Sequence, residues 1–179
     1  MAEKVQLSPA AEQRLRRNRI VGLAIALAIF LFDQATKYVV TNLLQLPQRQ
    51  SIELLPFFKL EWVRNYGVSM GYLTADSEMS RWLLVALTAA ISLFVAAWLW
   101  REKRRDDSMA LAFVLGGALG NILDRIRLGY VVDFADLHFG DIHPFLVFNV
   151  GDAAITIGVL LLLVRALLTR ERKAPQEDS

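Results

Sequence analysis

The stretch WLLVALTAAISLFVAAWLW, Trp82–Trp100, decides the fold class, because it contains nineteen residues without a formal charge. As a helix it is about 28 Å long, close to the thickness of the hydrocarbon core of a bilayer. Trp82 lies at one end and Trp98 and Trp100 lie at the other, where interfacial aromatic residues are enriched. The pattern predicts a membrane-spanning helix.

Three further apolar blocks accompany it, at Ile20–Phe32, Met109–Leu123 and Phe145–Val164. Hydrophobic residues make up 55% of the 179 residues, above the roughly 45–50% usual in soluble domains. A single very apolar helix would also fit the core of a soluble bundle, but four such blocks disfavour that alternative. The sequence therefore predicts an all-α polytopic membrane protein with four transmembrane helices in one domain.

The Lys and Arg residues are distributed unevenly between the connections. Thirteen of the twenty lie in 1–19, 101–107 and 165–179, whereas 41–81 and 128–148 together hold four. Because basic residues favour the cytoplasmic side, both termini are predicted to face the cytoplasm and the two longer connections to face outward. The net charge of +2 forms no single basic patch, so we expect no nucleic-acid partner.

These assignments divide the chain into three parts. Residues 1–19 are a cytoplasmic N-terminal segment, 20–165 are a four-helix membrane domain, and 166–179 are a cytoplasmic tail that we expect to be disordered. Residues 1–32 also resemble a secretory signal peptide in their basic start and apolar run. The small-x-small triplet Ala26–Ala28 lies inside that apolar run, where a peptidase finds no exposed site, so an uncleaved first helix is predicted.

The first of the two predicted extracytoplasmic loops, 43–81 and 128–148, contains an alternating stretch at Phe58–Trp62. A period of two indicates a half-buried strand, and RNYG, Arg64–Gly67, is typical of a turn. We therefore expect a small β-sheet in this loop, lying on the outer membrane surface with its aromatic side chains against lipid or a peptide.

The third predicted helix carries a stripe of small residues. Ala112, Gly116 and Gly120 recur every four positions, which is the spacing that lets two membrane helices approach closely. Close helix packing is the expected role of this stripe. Gly129 follows the helix and is expected to end it.

Five polar residues near the outward helix ends need partners inside the protein. Asn121, Asp124 and Arg125 fall in consecutive turns of the third helix, where unpaired polar groups are costly. Asp33 and Lys37 are four residues apart and so share one face of the first helix. For that pair, a solvated interfacial salt bridge and a role in supporting a site are both open.

The stretch VFNVGDAA, Val147–Ala154, places Asp152 in an apolar run, where a charge at a helix centre costs roughly 2.5–3.5 kcal/mol. Asp133 also has apolar neighbours, and the predicted topology places it near the same outer interface. Two carboxylates that face each other share one proton, as in an aspartic peptidase. One then takes a proton from water while the other donates a hydrogen bond to the scissile carbonyl. Which of them acts as base stays open, because such a pair titrates as a unit.

Other chemistry is less favoured by the residues present. Capping of the fourth helix is the alternative for Asp152 alone, and it weakens because other polar residues fall at the same depth. His138 and His143 with Asp136 or Asp141 suggest a metal site, but their spacing matches no metalloprotease motif. The chain has no Cys, which excludes thiolate chemistry, and its Ser residues lack a His or Lys at a telling offset. We expect neither metal nor cofactor.

Five motifs together resemble the lipoprotein signal peptidase family, also called signal peptidase II, over about residues 20–165. In chain order they are DQATK (Asp33–Lys37), RNYG (Arg64–Gly67), GGALGNILDRI (Gly116–Ile126), VVDF (Val131–Phe134) and FNVGDAAI (Phe148–Ile155). The chain departs from the family pattern at Val68, Ser69 and Met70, where Ala-Ala-Phe is common, at Gly151, where Ala is common, and at Ala153, where Ser is common.

The resemblance implies a bacterial inner-membrane aspartic endopeptidase. It implies removal of signal peptides from diacylglyceryl-modified prolipoproteins by a cut just before the lipidated cysteine, with Asp133 and Asp152 as the catalytic pair. The supporting and substrate-binding residues would be Asp33, Lys37, Asn65, Gly67, Asn121, Asp124, Arg125 and Asn149. It also implies membrane lipids as partners and the antibiotic globomycin as an inhibitor bound at the pair, and we expect a monomer.

A proton-coupled transporter or channel is the main alternative function, because intramembrane acids also mark proton relays. Acids confined to one leaflet disfavour it, since a conducting path needs polar groups across the whole thickness. A non-catalytic membrane assembly factor, with the glycine face of the third helix as its partner surface, is the other alternative.

Overall fold

The structure is a computed structural model that describes residues 8–67, 78–140 and 142–171. Its elements are, in chain order, α1 (Pro9–Tyr38), a π-helical turn (Val39–Leu43), α2 (Leu46–Arg49), β1 (Ser51–Leu55), β2 (Phe58–Asn65), α3 (Glu78–Arg101), α4 (Arg105–Leu128), β3 (Val131–Leu137) and α5 (Val150–Glu171). The four long helices α1, α3, α4 and α5 are each long and apolar enough to cross a membrane. The predicted fold class, a helical multi-pass membrane protein with a small sheet, is confirmed.

Helix α4 is the centre of the bundle, since α1, α3 and α5 all pack against it. Its glycines make this packing possible. A Cβ atom built at Gly116 would lie 2.5 Å from the carbonyl oxygen of Ala26 on α1, and one at Gly117 would collide with the carbonyl oxygen of Gly151 on α5. The close approach predicted from the small-residue spacing is therefore present. Gly129 ends α4 with a φ of 85°, a conformation that glycine adopts without strain.

The sheet is antiparallel with the strand order β1-β2-β3. Strand β3 comes from the second connection, which the sequence analysis did not predict to contain a strand. Six of its seven residues are buried, so the alternation of polar and apolar residues that reveals a half-buried strand is missing. The register places Asp133 opposite Val63, next to a core formed by Val40, Leu46, Leu60, Val132, Phe134 and Ala135.

Several boundaries differ from the sequence predictions, including the start of α4 at Arg105, within the predicted 101–107 connection. Helix α1 begins at Pro9, well before Ile20, because Ser8 accepts a hydrogen bond from the backbone of Ala11 and proline is favoured in the first turn. Arg64 and Asn65 belong to β2 and not to a turn. Helix α5 continues to Glu171, so the first residues of the predicted tail are helical. The remainder of that tail, 172–179, lies outside the described residues, as does the departure from the family pattern at 68–70.

Candidate active site

Asp133 and Asp152 are brought together where the end of the helix bundle meets the sheet. Asp133 lies in the middle of β3, and Asp152 lies in the first turn of α5. Asn149, just before that turn, hydrogen-bonds to both of them. Two acids that are nineteen positions apart in the sequence thus belong to one polar cluster.

The carboxyl group of Asp133 is enclosed by amide donors. Its Oδ1 accepts a hydrogen bond of 2.6 Å from Asn149 Nδ2, and its Oδ2 accepts one of 2.9 Å from Asn65 Nδ2. The residue is only 1% exposed. Burial, together with the negative charge of Asp152, raises the pKa of Asp133 to about 6, although both hydrogen bonds and the positive charge of Lys37 oppose the shift. Asp133 is therefore partly protonated near neutral pH.

Asp152 is held by two different donors. Its Oδ1 accepts a hydrogen bond of 2.8 Å from Asn121 Nδ2, and its Oδ2 accepts one of 3.2 Å from the backbone N–H of Asn149. In return, Asn149 Oδ1 accepts the backbone N–H of Asp152 at 2.9 Å, which forms a reciprocal capping box. The N-cap residue of α5 is thus Asn149, and not Asp152 as the alternative interpretation had it. Asp152, three residues later, completes the capping box by accepting the backbone N–H of Asn149.

Three asparagines point their NH₂ groups at the pair, and each orientation is fixed by a group that can only donate. The Oδ1 of Asn65 accepts the backbone N–H of Gly67, and that of Asn149 accepts the backbone N–H of Asp152. The Oδ1 of Asn121 accepts a hydrogen bond of 3.0 Å from Lys37 Nζ. Because the oxygen end of each amide is occupied in this way, its nitrogen end faces the carboxyl groups. An amide flip would place two acceptors against each other.

Lys37 joins the two remaining predicted acids beneath the pair. Its Nζ lies 2.8 Å from Asp33 Oδ2 and 2.9 Å from Asp124 Oδ2. Lys37 is 4% exposed and Asp33 is fully buried, so the interpretation of a solvated interfacial salt bridge is wrong. The second oxygen of Asp33 accepts the backbone N–H of Gly151 at 2.8 Å, which ties α1 to the start of α5.

Gln34 belongs to this cluster and was missed by the sequence analysis. Its Nε2 lies within hydrogen-bonding distance of Asp33 Oδ2, Asp124 Oδ1 and the carbonyl oxygen of Gly120, at 3.2, 3.1 and 3.3 Å. Its position within the DQATK motif was the one available signal. A single uncharged polar residue such as Gln34 forms no periodic pattern, so the sequence does not show which way its side chain points.

Two predicted supporting residues have different surroundings. Gly67 has a φ of 100° and donates its N–H to Asn65 Oδ1 at 2.8 Å, so its conformation fixes that asparagine. Arg125 lies close enough to Asp133, Asp152 and Asp124 to interact with their charges. Within the described ranges its Nε is nonetheless buried without a hydrogen-bond partner.

The histidines form a separate cluster on the sheet. His143 Nδ1 lies 3.0 Å from Asp136 Oδ1, Lys59 Nζ lies 3.4 Å from Asp136 Oδ2, and the rings of His138 and His143 are stacked. Burial alone would raise the pKa of Asp136, but His143 and Lys59 together hold it below the usual value. Among the described residues no three His, Cys, Asp or Glu side chains are placed to hold a metal ion. Asp141 lies outside those residues.

The fold and the site define a multi-pass membrane protein with a polar cluster between its helix ends and a small sheet. Comparison with known proteins narrows this class. The chain belongs to the signal peptidase (SPase) II family, whose model matches residues 25–168. The resemblance found in the motifs is thereby confirmed, and it makes the chain a protease of the membrane-spanning type.

Named relatives and solved structures agree with this assignment. The chain is 57% identical over 161 residues to a lipoprotein signal peptidase of Rhizorhabdus wittichii, covering 90% of this chain and 94% of the relative. It is 54% identical over 158 residues to one of Sphingopyxis alaskensis, covering 88% and 91%. A solved structure described as a bacterial membrane enzyme has a TM-score of 0.73 and 28% identity, covering 89% of this chain and 94% of its own.

Proposed function

We propose that this protein removes signal peptides from diacylglyceryl-modified prolipoproteins, cutting just before the lipidated cysteine, with Asp133 and Asp152 as the catalytic pair. The observation that carries the proposal is the bridge through Asn149, whose side chain and backbone donate one hydrogen bond to each acid. The relatives named lipoprotein signal peptidases support the substrate class.

The chemistry follows from two carboxyl groups that hold one proton between them. The ionised carboxylate takes a proton from a water molecule as the water oxygen adds to the scissile carbonyl. The protonated carboxyl group donates a hydrogen bond to the carbonyl oxygen, where negative charge develops. When the tetrahedral intermediate collapses, the C–N bond breaks and the leaving amine takes a proton from the pair. One water molecule is consumed and the enzyme is regenerated.

The proposed location is the bacterial inner membrane, with both termini in the cytoplasm and the pair near the outer leaflet. The excess of Lys and Arg in 1–19, 101–107 and 165–179 supports this orientation. A prolipoprotein is held at this depth by its own apolar segment and by its lipid. The cleavage site is therefore already at the depth of the two acids in the membrane. Enzyme and substrate then need to find each other only by lateral diffusion within the bilayer.

Globomycin is expected to bind at the pair and to compete with substrate, and the enzyme is expected to act as a monomer. Both proposals rest on the family. Neither metal nor cofactor is required by the two-carboxylate chemistry, so a chelator should leave cleavage unchanged. Cleavage abolished by a chelator and restored by a divalent metal would favour the metal alternative.

The decisive experiment follows cleavage of a diacylglyceryl prolipoprotein by gel shift in proteoliposomes. We expect cleavage by the wild type and none by Asp133→Asn or Asp152→Asn, with both variants folded. Asp136→Asn is the matched control, because Asp136 is an equally buried acid of the same strand whose carboxylate, among the described residues, pairs with His143 and Lys59. Full activity of either pair variant would refute the dyad. Proton flux without cleavage would favour a transporter.

A further inference from the structure

We propose that Lys37 is a positioning residue. Through the amide of Asn121 it holds Asp152 as the ionised base, which leaves Asp133 to carry the shared proton. This inference rests on the proposed function and adds to it the separate roles of the two acids.

The three hydrogens of the Lys37 ammonium group are all used within the protein. They reach Asp33 Oδ2, Asp124 Oδ2 and Asn121 Oδ1 at 2.8, 2.9 and 3.0 Å. A lysine ammonium donates and never accepts, so only the oxygen of the Asn121 amide can face it. The nitrogen of the same amide is thereby directed at Asp152 Oδ1 at 2.8 Å. Lys37 touches neither acid of the pair, but it determines what Asn121 offers to one of them.

The two acids differ in what surrounds them. Asp152 lies in the first turn of α5, where the unpaired backbone N–H groups carry partial positive charge that favours a carboxylate. One of its two donors is a backbone N–H, and the other is the Asn121 amide that Lys37 polarises. Asp133 lies in a strand, which has no comparable dipole, and burial and the charge of Asp152 raise its pKa to about 6. The proton therefore belongs on Asp133.

Charged groups reach the pair from four of the elements around it, and β2 faces Asp133 with the uncharged amide of Asn65. The charged groups are Asp33 and Lys37 from α1, Asp124 and Arg125 from α4, Asp133 from β3 and Asp152 from α5. Lys37 is paired with Asp33 and Asp124, which offset most of its charge, although that charge still opposes the rise in the pKa of Asp133. The effect of Lys37 on Asp152 consequently passes mainly through the orientation of Asn121.

The test compares pH profiles of kcat/KM for variants that each disturb one acid. Lys37→Met frees the Asn121 amide and weakens the support of the ionised base, so the acid limb should move to higher pH. It should move further than the alkaline limb, while kcat falls on the order of tenfold and KM stays within about twofold. Asn65→Ala removes a donor that, within the described part of the chain, serves Asp133 and not Asp152, so it should move the alkaline limb upward.

Two further variants separate positioning from folding. Lys37→Met/Asp124→Asn removes one positive and one negative charge together, so the cluster keeps its net charge, and it should shift the acid limb as the single variant does. Lys59→Met breaks two partly exposed ion pairs away from the dyad, with Glu61 and with Asp136, so it should lower thermal stability without moving either limb.

The role assignment is overturned if Lys37→Met moves mainly the alkaline limb and Asn65→Ala the acid limb. It is also overturned if both Lys37 variants keep the wild-type limbs and kcat per folded molecule, which would leave Lys37 a purely structural residue. Failure of the proposed function itself is recognised separately, because the wild type would then not cleave the prolipoprotein at all.

Discussion

Asn149 and Asp152 hydrogen-bond to each other's backbone at the start of α5, at 2.9 and 3.2 Å. The remaining donor group of Asn149, its Nδ2, reaches Asp133 at 2.6 Å. A single side chain therefore begins a membrane helix and joins it to the strand that carries the other acid. The position of α5 and the position of β3 are thus tied together through this residue.

Replacement of Asn149 should separate its role as the N-cap of α5 from its role as a hydrogen-bond donor to Asp133. Asn149→Asp keeps an oxygen that can cap α5 but loses the NH₂ group that Asp133 needs, and it adds a third negative charge. We expect cleavage per folded molecule to fall at least about a hundredfold, and the third buried carboxylate beside Asp133 to lower the unfolding temperature although the cap is kept. Asn42→Asp, at an exposed asparagine near the end of α1, is the control. Cleavage near the wild-type rate in Asn149→Asp would show that the amide bridge is dispensable.

The pH dependence of cleavage should reveal the proton on Asp133. Its raised pKa of about 6 means that the free enzyme loses this proton as pH rises through that value. The protonated form is the one that donates to the scissile carbonyl, so kcat/KM should decline above about pH 6 by about tenfold per pH unit. The profile is measured with the fluorescence of a labelled prolipoprotein peptide. A flat profile from about pH 5 to pH 8 is incompatible with this role.

The contact between α4 and α5 should be sensitive to a single methyl group. Gly117→Ala places a Cβ against the carbonyl oxygen of Gly151, in backbone that cannot turn aside. We expect a loss of about 1–3 kcal/mol of stability, and reduced cleavage because Asp152 moves with Gly151. Chemical unfolding in detergent measures the first effect, and gel shift measures the second.

Gly140→Ala provides the comparison for this helix contact. A Cβ at Gly140 meets nothing within 4 Å, but the residue has a φ of 61°. Its substitution therefore tests backbone strain alone and should cost about 1 kcal/mol, without loss of cleavage. Equal effects of the two substitutions on cleavage would mean that helix spacing is not what positions Asp152.

The membrane orientation can be tested because the chain contains no Cys. Gln48→Cys introduces a single exposed thiol on the sheet side, and Lys103→Cys introduces one between α3 and α4. A membrane-impermeant maleimide added to intact spheroplasts should label the first and reach the second only after permeabilisation. The reverse pattern would invert the proposed topology.

The sequence predicted the bundle well because each membrane helix is encoded by its own apolar run. It also placed Asp133 and Asp152 at one membrane depth. Asp133 follows the end of α4 and Asp152 lies at the start of α5, and the predicted topology puts both of these helix ends on the same side. It did not predict β3, whose residues are buried on both faces, nor the place of Gln34 between Asp33 and Asp124. Such partners come from different elements, and the contacts that select them exist only after the helices have packed.

The three asparagines around the pair carry a consequence for the ageing of the enzyme. Asparagine deamidates when the next backbone nitrogen attacks its side chain, and here the next residues are the bulky Tyr66, Ile122 and Val150. The amides are also immobilised at both ends. Each amide is thus shielded from deamidation, a spontaneous reaction that would turn a hydrogen-bond donor into an anion. The hydrogen bonds to the pair should therefore persist as long as the helix bundle stays folded.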